Sequence, residues 1–516
     1  MKSNKKTCGS DPMPTKFVVD CLEFLLPVLT KIINLSLGSG SFHSDWKLAL
    51  VKPLLKKAGI DLQFENCRPI SNLQYVSKLV EGAVADQIHQ HLSLNNLLPS
   101  MQSAYRQHHS TETALLRVKN DLLIAMDKQQ VTLLIMLDMS AAFDSIKHEI
   151  LLSILQTHFG ISDVALLWFD SYLSGRRQKI VIDDVLSQEF NVLWGVPQGS
   201  CLGPLLFTLY TSRLFQEVQQ NSPEISCHCY ADDTQLYMSF SPGQNNENNS
   251  VLALEQCITH VHTWLLQNNL LLNDKKTEFL ICGTPKQMSK LHIGSIKVVM
   301  SNISPSISVR NLGIWFDSHL TFDRHIAEVC KNAFYYLFNI RHIRKYLTRD
   351  CTEKIIHAFV TSRLDYCNSL FLGLPDTQIK KLQRVQNACA RLICNSSRYS
   401  RCSPLLNELH WLPVRQRIAF KVLLLTYKAI HGLAPMYIQE LINMKSLSQS
   451  TYRLRSSQDH TLLSHPSRKS RATLGDRAFA YAAPNLWNNL PPCIRQCSSL
   501  NVFKSKLKTH LFTSPI

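Results

Sequence analysis

Residues 225–240, ISCHCYADDTQLYMSF, place two adjacent acidic residues, Asp232 and Asp233, inside an otherwise strand-like stretch. The β-favouring runs on both sides predict a β-hairpin with its turn at or near the acidic pair. Successive side chains of a strand point to opposite faces, so both carboxylates can approach one cation only if they lie at a turn. Taken alone, an Asp-Asp pair favours a solvated hairpin turn.

A further carboxylate follows an apolar run earlier in the chain. Residues 131–140, VTLLIMLDMS, are apolar almost throughout, which predicts a strand that is buried on both faces. Asp138 ends this run, and a carboxylate there is costly unless a cation or hydrogen-bond donors compensate it. Asp144 follows in DMSAAFD. An aspartate after a strand is also common as the cap of the next helix, so the residues alone leave both interpretations open.

The segment GVPQGSCLGP, residues 195–204, lies between these two acidic elements. Its glycines at positions 195, 199 and 203 permit a close approach of the backbone to a ligand. The helix predicted after it offers a positively polarised N-terminus. The same residues also fit an ordinary connection between a strand and a helix.

Periodicity predicts a mixed α and β chain that becomes purely helical from about Phe322 to residue 444. SPGQNNENNS (241–250) predicts a polar loop before a helix that ends near Asn269, and the Ser-rich, basic segment 446–475 predicts extended or disordered chain. Further helices are predicted at 13–37, 77–92, 111–126 (capped by Ser110 or Thr111), 148–175 and 202–220, and further strands at 46–57, 178–184, 270–283 and 309–317.

Length and charge indicate how the chain is organised. Its 516 residues are too many for one compact core and predict two to three domains. Residues 331–516 hold 28 of the 55 Lys and Arg but 8 of the 38 Asp and Glu, a balance of +20, which leaves 27 against 30 in the preceding residues, a balance of −3. This asymmetry indicates a polyanion-binding C-terminal part, with a merely soluble basic surface as the alternative.

The N-terminal residues predict neither secretion nor a membrane span. No long apolar stretch begins the chain, and the 16 cysteines are scattered, so reduced thiols in the nucleus or cytoplasm are expected. The apolar residues 17–37, FVVDCLEFLLPVLTKIINLSL, are interrupted by Asp20, Glu23 and Lys31. That pattern predicts an amphipathic core helix rather than a membrane helix.

The order DMSAAFD, GVPQGS, YADD resembles motifs A, B and C of the reverse transcriptases of non-LTR (LINE) retrotransposons, in particular the chicken-repeat and Jockey-like groups. The resemblance covers nearly the whole chain. It continues in NCRPISNL (66–73), QSAYRQHHSTETAL (102–115), WFDSYLSGRRQ (168–178), NDKKTEF (273–279), NLGIWFD (311–317), LDYCNSLFLGLP (364–375), LHWLPVRQRI (409–418) and LWNNLPPCIR (486–495).

The resemblance implies an α+β right-hand polymerase fold with fingers, a palm built on an antiparallel sheet, and a helical thumb, plus a mostly helical, basic C-terminal extension. The implied divisions are a helical extension over 1–40, fingers and palm over 41–320, thumb and connection over 321–445, and the basic, partly disordered extension over 446–516. Proteins of these groups normally begin with an endonuclease domain, which we expect this chain to lack.

The resemblance also assigns catalytic roles to individual residues. Asp138 and Asp232 would bridge two Mg²⁺ ions, with Mn²⁺ as an alternative, Asp233 would support one ion near the primer 3′ end, and the Met139 carbonyl would complete the metal shell. Lys276 would protonate the pyrophosphate leaving group. The implied activity is that of an RNA-directed DNA polymerase, a nucleotidyltransferase that uses two-metal phosphoryl transfer.

Residues that contact substrate follow from the same motifs. Phe143 would stand against the sugar of the incoming nucleotide and exclude a 2′-hydroxyl, although it could also be simply a core residue. Arg106 would grip the triphosphate, since a guanidinium can bind phosphate oxygens bidentately. Gln198 and Gly199 would line the nascent base pair, and Arg68 fits the fingers motif in either a binding or a structural role.

The implied partners are an RNA template, a DNA primer and dNTPs, in a ribonucleoprotein of the nucleus and cytoplasm. The basic C-terminal part would contact the phosphates of an A-form hybrid by shape. No membrane is implied, and the sequence does not indicate an oligomeric state. One alternative is a catalytically silent nucleic-acid-binding remnant of such an element. A second alternative is an RNA-directed RNA polymerase, which the aromatic Phe143 and the YADD motif disfavour.

Overall fold

The computed structural model describes residues 8–444 except 58, 62 and 141, together with residues 461–466 and 474–513. The helices of these residues are α1 (Thr15–Asp20), α2 (Leu22–Ser39), α3 (Tyr75–Leu94), α4 (Thr111–Asp127), α5 (His148–Thr157), α6 (Asp163–Leu173), α7 (Gly203–Tyr210), α8 (Leu214–Asn221), α9 (Gln244–Gln267), α10 (Pro285–Met288), α11 (Asp323–Ile343), α12 (Arg349–Ile356), α13 (Ser362–Asp365), α14 (Asp376–Ile393), α15 (Cys402–Glu408), α16 (Val414–Ile430), α17 (Met436–Gln439), α18 (Phe479–Asn488), α19 (Pro492–Arg495) and α20 (Leu500–Thr513). The strands are β1 (Leu48–Leu55), β2 (Cys67–Asn72), β3 (Val131–Leu137), β4 (Met139–Ser140), β5 (Arg176–Ile182), β6 (Val185–Leu186), β7 (Phe190–Val192), β8 (Ser226–Tyr230), β9 (Asp233–Phe240), β10 (Leu271–Leu272), β11 (Glu278–Cys282), β12 (Ile296–Val298), β13 (Ser301–Ile303), β14 (Ser308–Asn311) and β15 (Ile314–Asp317).

A four-stranded antiparallel sheet with the order β11-β3-β9-β8 lies at the centre of the molecule. Its inner strand β3 is covered on both faces, because Leu134 packs into one apolar core while Leu133 and Ile135 pack into another. This arrangement explains the unbroken apolar run, since alternate side chains of a strand point to opposite faces. The predicted doubly buried strand is confirmed.

A second sheet lies beside it with the order β2-β1-β5-β6, and β7 pairs with β5 as well. Strand β1 pairs antiparallel with β2 and parallel with β5. Both sheets frame the loops that carry the acidic and glycine-rich motifs. The strands predicted at 46–57 and 178–184 are confirmed: β1 is shorter than predicted at both ends, and β5 begins and ends two residues earlier than predicted.

Helix α4 begins with the cap that the sequence predicted. The Ser110 hydroxyl accepts a hydrogen bond from the Thr113 amide at 3.2 Å, and the Thr113 hydroxyl accepts one from the Ser110 amide at 2.9 Å. This reciprocal capping box satisfies two amides that the helix itself cannot pair. Of the two predicted caps, Ser110 is the correct one.

Helix α2 is not the core helix that its composition predicted. Only Leu29 and Ser36 are buried along it, and Phe24 is 85% exposed. Its apolar residues surround the helix instead of forming one stripe, so contacts with α3 and α6 cover a narrow strip. By length and composition alone, α2 could cross a membrane. A single such helix near the N-terminus is weak evidence of a membrane span.

The polar loop predicted for 241–250 is mostly helical. Helix α9 begins at Gln244, so the Asn-rich residues form its first turns. Tertiary contacts override the low propensity there, because the buried Glu247 accepts a hydrogen bond from the His292 amide at 2.8 Å. The helix ends at Gln267, close to the predicted end.

The helices after residue 322 share an apolar core with the back of the central sheet. This core runs from α4 through α11, α14 and α16 to Ala483. The buried Lys119 of α4 donates a hydrogen bond to the Leu370 carbonyl at 2.6 Å, and Asn120 accepts one from the Ala480 amide at 3.0 Å. Burial lowers the pKa of Lys119 well below its ordinary value. The C-terminal helices are therefore packed directly onto the helix behind the sheet.

The extended or disordered chain predicted for 446–475 falls almost entirely outside the described residues. Leu463, which is described, pairs with Met444 and accepts a hydrogen bond from Asn488 at 2.9 Å. The predicted division of the chain at residues 40, 320 and 445 stays a prediction.

Shortening a side chain on β3 should destabilise the whole protein. Leu134 is fully buried, so Leu134→Ala should lower the free energy of unfolding by about 2–5 kcal/mol through lost burial and a residual cavity. Leu94→Ala is the matched control, because Leu94 is 77% exposed and its truncation should change that free energy by less than about 0.5 kcal/mol. Urea unfolding followed by circular dichroism measures both, and equal losses would contradict the assignment of β3 to the core.

Candidate active site

Asp138 directly follows β3 and is held by the loop that leads into β11. Its carboxylate accepts hydrogen bonds from the Asn273 amide group and from Lys276 Nζ, both at 3.2 Å. Its carbonyl accepts a bond from the Asn273 backbone amide at 2.8 Å. The buried strand fixes the position of this residue, and the loop supplies the polar partners that a carboxylate at a strand end requires.

The predicted hairpin is formed by β8 and β9, with its tight turn at Ala231 and Asp232. The register pairs Tyr230 with Asp233 across the turn, and Ala231 adopts a left-handed backbone with φ 57°. The neighbouring register pairs Leu137 of β3 with Thr234. One residue further along each strand, Asp138 and Asp233 therefore lie at the same edge of the sheet.

The aspartates affect one another electrostatically. Burial, together with the negative charges of Asp232 and Asp138, raises the pKa of Asp233 to about 6. The pKa of Asp232 is also raised, first by burial and then by Asp138, whereas Arg68 and Lys276 oppose the shift. Such mutual repulsion marks a place where a cation would be stabilised.

The donor chemistry of this edge fits a divalent cation, although its side chains are not arranged as a ready-made metal cage. Carboxylate oxygens are the hard ligands that Mg²⁺ prefers. Across the described ranges, no group of three or more His, Cys, Asp or Glu residues is arranged to hold one ion. Lys276 Nζ, 3.2 Å from the Asp138 carboxylate, supplies the nearest positive charge.

The acidic edge opens onto a cavity of about 570 Å³ that also carries several cations. Asp138 and Asp233 line it together with Lys57, Lys276 and Arg310. Lys57, from the loop after β1, and Arg310, from β14, were not among the predicted site residues. The cavity thus combines carboxylates for a metal with cations for an anionic substrate.

The glycines of the GVPQGS loop let its backbone pack closely against two other motifs, DMSAAFD and NCRPISNL. A side chain at Gly195, whose φ is 81°, would come within 2.9 Å of the Phe143 carbonyl oxygen. At Gly199, with φ 122°, a Cβ atom would lie 2.5 Å from the Ser71 carbonyl oxygen. The Ser71 amide donates to the Gln198 carbonyl at 2.7 Å. The sequence predicted that these glycines allow the backbone to approach another group closely. In the structure, Gly195 and Gly199 pack against the backbone of Phe143 and Ser71.

Gln198 and Phe143 extend this contact through their side chains. The Gln198 amide donates to the Asp144 carboxylate at 2.9 Å, and Asp144 keeps a raised pKa because burial outweighs that hydrogen bond. The half-buried Phe143 ring stacks on Phe207, with ring centroids 4.8 Å apart. Phe143 thus has one face in the core, which fits both roles left open by the sequence.

Not every predicted residue reaches the cavity. Arg106 is tied to its own loop, where its guanidinium donates to the carbonyls of Pro99 and Gln102 and its burial lowers its pKa. Arg68 lies close enough to Asp232 to shift its pKa. Met139 follows Asp138 in β4 and pairs with Leu272. The roles assigned to these residues stay predictions.

A buried polar cluster behind the hairpin was missed by the sequence. Ser103 Oγ lies 2.9 Å from His228 Nε2 and 2.8 Å from the hydroxyl of Tyr437, which also donates to Thr113 Oγ1 at 3.1 Å. Burial lowers the pKa of His228 to about 3, so its ring is neutral. Ser103 lies 125 positions from His228 and 334 positions from Tyr437 in the sequence, so no local sequence pattern could predict these contacts.

Glu81 is a second missed residue, and it fixes the chain after GVPQGS. Its fully buried carboxylate accepts hydrogen bonds from the amides of Cys201 at 2.6 Å and Leu202 at 3.3 Å, and from Ser77 at 3.0 Å. Burial raises its pKa, whereas the nearby Arg176 opposes the shift. The sequence did contain a sign that Glu81 is buried, because it lies on the same side of α3 as Val80, Val84 and other buried apolar residues.

These features define the class of protein. An antiparallel sheet with one Asp at the end of its inner strand and an Asp pair at the adjoining hairpin is the palm of a right-hand polymerase. Residues 55–316 match the family described as "Reverse transcriptase (RNA-dependent DNA polymerase)". The chain belongs to the reverse transcriptase family, among the members that non-LTR retrotransposons encode.

The chain is similar to several transposon proteins of Drosophila melanogaster. It is 27% identical over 427 residues to a probable RNA-directed DNA polymerase from transposon X-element, covering 79% of this chain and 44% of that protein. It is 26% identical to the corresponding protein from transposon BS, covering 76% and 43%. The chain thus spans less than half the length of these relatives. Among solved structures, it is similar to apo telomerase from Candida tropicalis, with 11% identity, a TM-score of 0.40, and coverage of 76% of this chain and 67% of that chain.

Adding a methyl group at Gly199 should disrupt the junction of the three motifs. Gly199→Ala should lower the free energy of unfolding by about 1–3 kcal/mol, because the new Cβ meets the Ser71 carbonyl and the backbone φ is unfavourable for other residues. Gly294→Ala is the control, since its Cβ would have no atom within 4 Å. Urea unfolding and limited proteolysis of both variants test this, and a Gly199→Ala protein as stable as the control would contradict the packing described.

Proposed function

We propose that this chain is an RNA-directed DNA polymerase that extends a DNA primer on an RNA template. The observation that carries the proposal is the meeting of Asp138, Asp232 and Asp233 at one edge of the palm sheet, beside a cavity lined with cations. Membership of the reverse transcriptase family supports the same activity. The full activity of the longer relatives is part of the proposal, not an observation on this chain.

The acidic edge would hold two Mg²⁺ ions, with Mn²⁺ as the alternative. Asp138 and Asp232 would provide most ligands, Asp233 would support one ion, and the Met139 carbonyl would complete the shell. When bound, such ions stabilise the charge on the attacking and leaving oxygens of phosphoryl transfer. The raised pKa values of Asp232 and Asp233 support this assignment, because burial and the neighbouring carboxylates both disfavour their charged forms, which a bound cation would stabilise.

The cations of the cavity would bind the triphosphate and assist its departure. Lys276 would give a proton to the pyrophosphate leaving group, and its contact with Asp138, 3.2 Å from Nζ to the carboxylate, supports that role. Lys57 and Arg310 line the same cavity and would contact phosphate oxygens. Arg106 could join them only after leaving the carbonyls of its own loop.

The GVPQGS junction would shape the nucleotide pocket. Gln198 and Gly199 would line the nascent base pair beside Arg68 of the fingers, and Phe143 would exclude a 2′-hydroxyl from the sugar site. The stacking of Phe143 on Phe207 supports the last role, because a ring held by a core neighbour cannot easily move aside. A fold divided into fingers, palm, thumb and basic extension, and a location in the nucleus and cytoplasm, belong to the same proposal.

Removing the paired carboxylates should abolish polymerisation. Asp232→Asn/Asp233→Asn should reduce Mg²⁺-dependent extension of a DNA primer on an RNA template by about 10³-fold or more, since electrostatic stabilisation of the transition state is lost. Asp183→Asn/Asp184→Asn is the matched control, because this adjacent, exposed pair lies at the turn between β5 and β6, and it should keep full activity.

The assay also separates the remaining interpretations. Equal extension by both double variants would remove the site assignment. No extension by soluble, folded wild-type protein that still binds RNA would instead favour a catalytically silent remnant of a retrotransposon.

Replacing Phe143 should relax the choice of sugar. Phe143→Val opens space beside the 2′ position, so the ratio of NTP to dNTP incorporation should rise by about tenfold or more. Phe24→Val is the control, because Phe24 is 85% exposed on α2. Single-nucleotide extension with matched dNTP and NTP pairs measures the ratio, and an unchanged ratio would return Phe143 to a purely structural role.

A further inference from the structure

A strongly basic cavity lies far from the acidic edge, at the C-terminal ends of α11 and α14. Its volume is about 880 Å³, and Arg341, Arg344, Lys345, Arg391 and Arg398 line it. Of the described residues that form its walls, none is Asp or Glu. Helix α11 has 21 residues, so the cavity lies roughly 30 Å along the helix from the palm. It is therefore separate from the polymerase cavity.

Two of the arginines build the cavity. Arg344 donates hydrogen bonds to the carbonyls of Leu392 and Ile393, at the end of α14, at 3.0 and 3.1 Å. Arg391 donates to the Ser400 carbonyl at 3.0 Å. The Arg344 bonds occupy carbonyls at the end of α14 and hold α11 beside it, and the Arg391 bond holds the loop that follows α14. The cavity is thus a defined part of the fold.

Two other cations are available to a ligand. Arg341 is exposed on the last turn of α11, and Lys345 is exposed just beyond it. Within the described part of the chain, no carboxylate lies within ion-pair distance of either group. Concentrated cations without counter-charges attract a polyanion and release its counterions when it binds.

Exposed residues extend the cavity along both helices. Along α11 and the 3-10 turn that follows it, Phe334, Phe338, Arg341 and Lys345 follow one another at spacings of four, three and four residues, so they share one face of the helical segment. Phe338 is 61% exposed. On α14, the exposed Arg384 precedes Arg391 by seven residues and lies on the face that lines the cavity. Two exposed aromatic side chains and the adjoining basic side chains therefore form one continuous surface about 17 Å long.

We infer that this surface binds a single-stranded segment of RNA outside the polymerase cavity. A surface about 17 Å long is several times the size of one phosphate group, which favours a polymer with successive phosphates over a free anion. Exposed rings beside cations are suited to unpaired bases, whose faces are free to stack, whereas duplex bases are not. The inference deepens the proposed function, because it gives the chain a hold on RNA distinct from the hybrid that it extends.

Charge removal at the cavity should weaken RNA binding in a salt-dependent way. The full chain and its Arg341→Gln/Lys345→Gln variant are titrated against a fluorescent, unstructured RNA over a series of KCl concentrations. The slope of log Kd against log salt should fall by about 1.4 for the two lost phosphate contacts. Lys286→Gln/Lys290→Gln is the control, because it removes the same charge from exposed lysines of the palm and should leave the slope unchanged.

A second variant tests for unpaired bases. Phe338→Ala should weaken binding of the unstructured RNA about tenfold with little change in salt slope, because stacking and not charge is lost. The same variant should bind an RNA–DNA hybrid as the wild type does. Thermal unfolding checks that each variant is folded.

The outcomes separate this inference from the proposed polymerase activity. If Arg341→Gln/Lys345→Gln and its lysine control bind the RNA with the same affinity and the same salt slope, the inferred RNA site is wrong. A protein partner would then be the alternative occupant of the surface. The inference would also be wrong if Arg341→Gln/Lys345→Gln lost the same affinity for an RNA–DNA hybrid as for the unstructured RNA, while Phe338→Ala had no effect. That result would indicate a site for the backbone of a duplex. Because Asp232→Asn/Asp233→Asn should bind the RNA normally, a failure of polymerisation would leave the binding result intact.

Discussion

The repulsion between carboxylates at one edge of the palm sheet is the constraint on which the rest of the structure depends. Burial raises the pKa values of Asp232 and Asp233, the negative charge of Asp138 adds to both shifts, and nothing in an isolated hairpin would hold the three carboxylates together. The doubly buried strand β3 and its register with β9 provide that restraint. The free energy of burying an apolar strand thus maintains an arrangement of charge that would otherwise be unfavourable, and that a metal-dependent reaction requires.

Support for this edge comes from distant parts of the chain. Tyr437, from the helical C-terminal section, contacts Ser103 directly behind the hairpin. Glu81, from α3, holds the backbone that follows the glycine-rich loop. A buried polar group is costly unless it is paired, so each of these contacts strongly favours one packing of the neighbouring elements. The thumb-side helices are therefore part of the scaffold of the palm, besides their proposed contacts with nucleic acid.

The sequence predicted what local patterns determine. The apolar run before Asp138 indicated β3, the flanks of Asp232 and Asp233 indicated the hairpin, and motif order indicated the family. It did not predict the position of Arg106, because hydrogen bonds to carbonyls of its own loop decide where that guanidinium lies. It also missed Tyr437, because its partner Ser103 is 334 positions away. The composition of α2 was misleading, since apolar content does not show how much of a helix its neighbours can cover.

The bond between Asn120 and the Ala480 amide has a consequence for the order of folding. It joins residues 360 positions apart, and the core around α4 includes residues up to Ala483. During synthesis the back of the palm stays incompletely covered until the segment around Ala480 leaves the ribosome, because that segment is made several hundred residues after α4. Closing such a long loop is slow relative to local helix formation. The palm strands therefore reach their final stability only after residues far along the chain from them have left the ribosome.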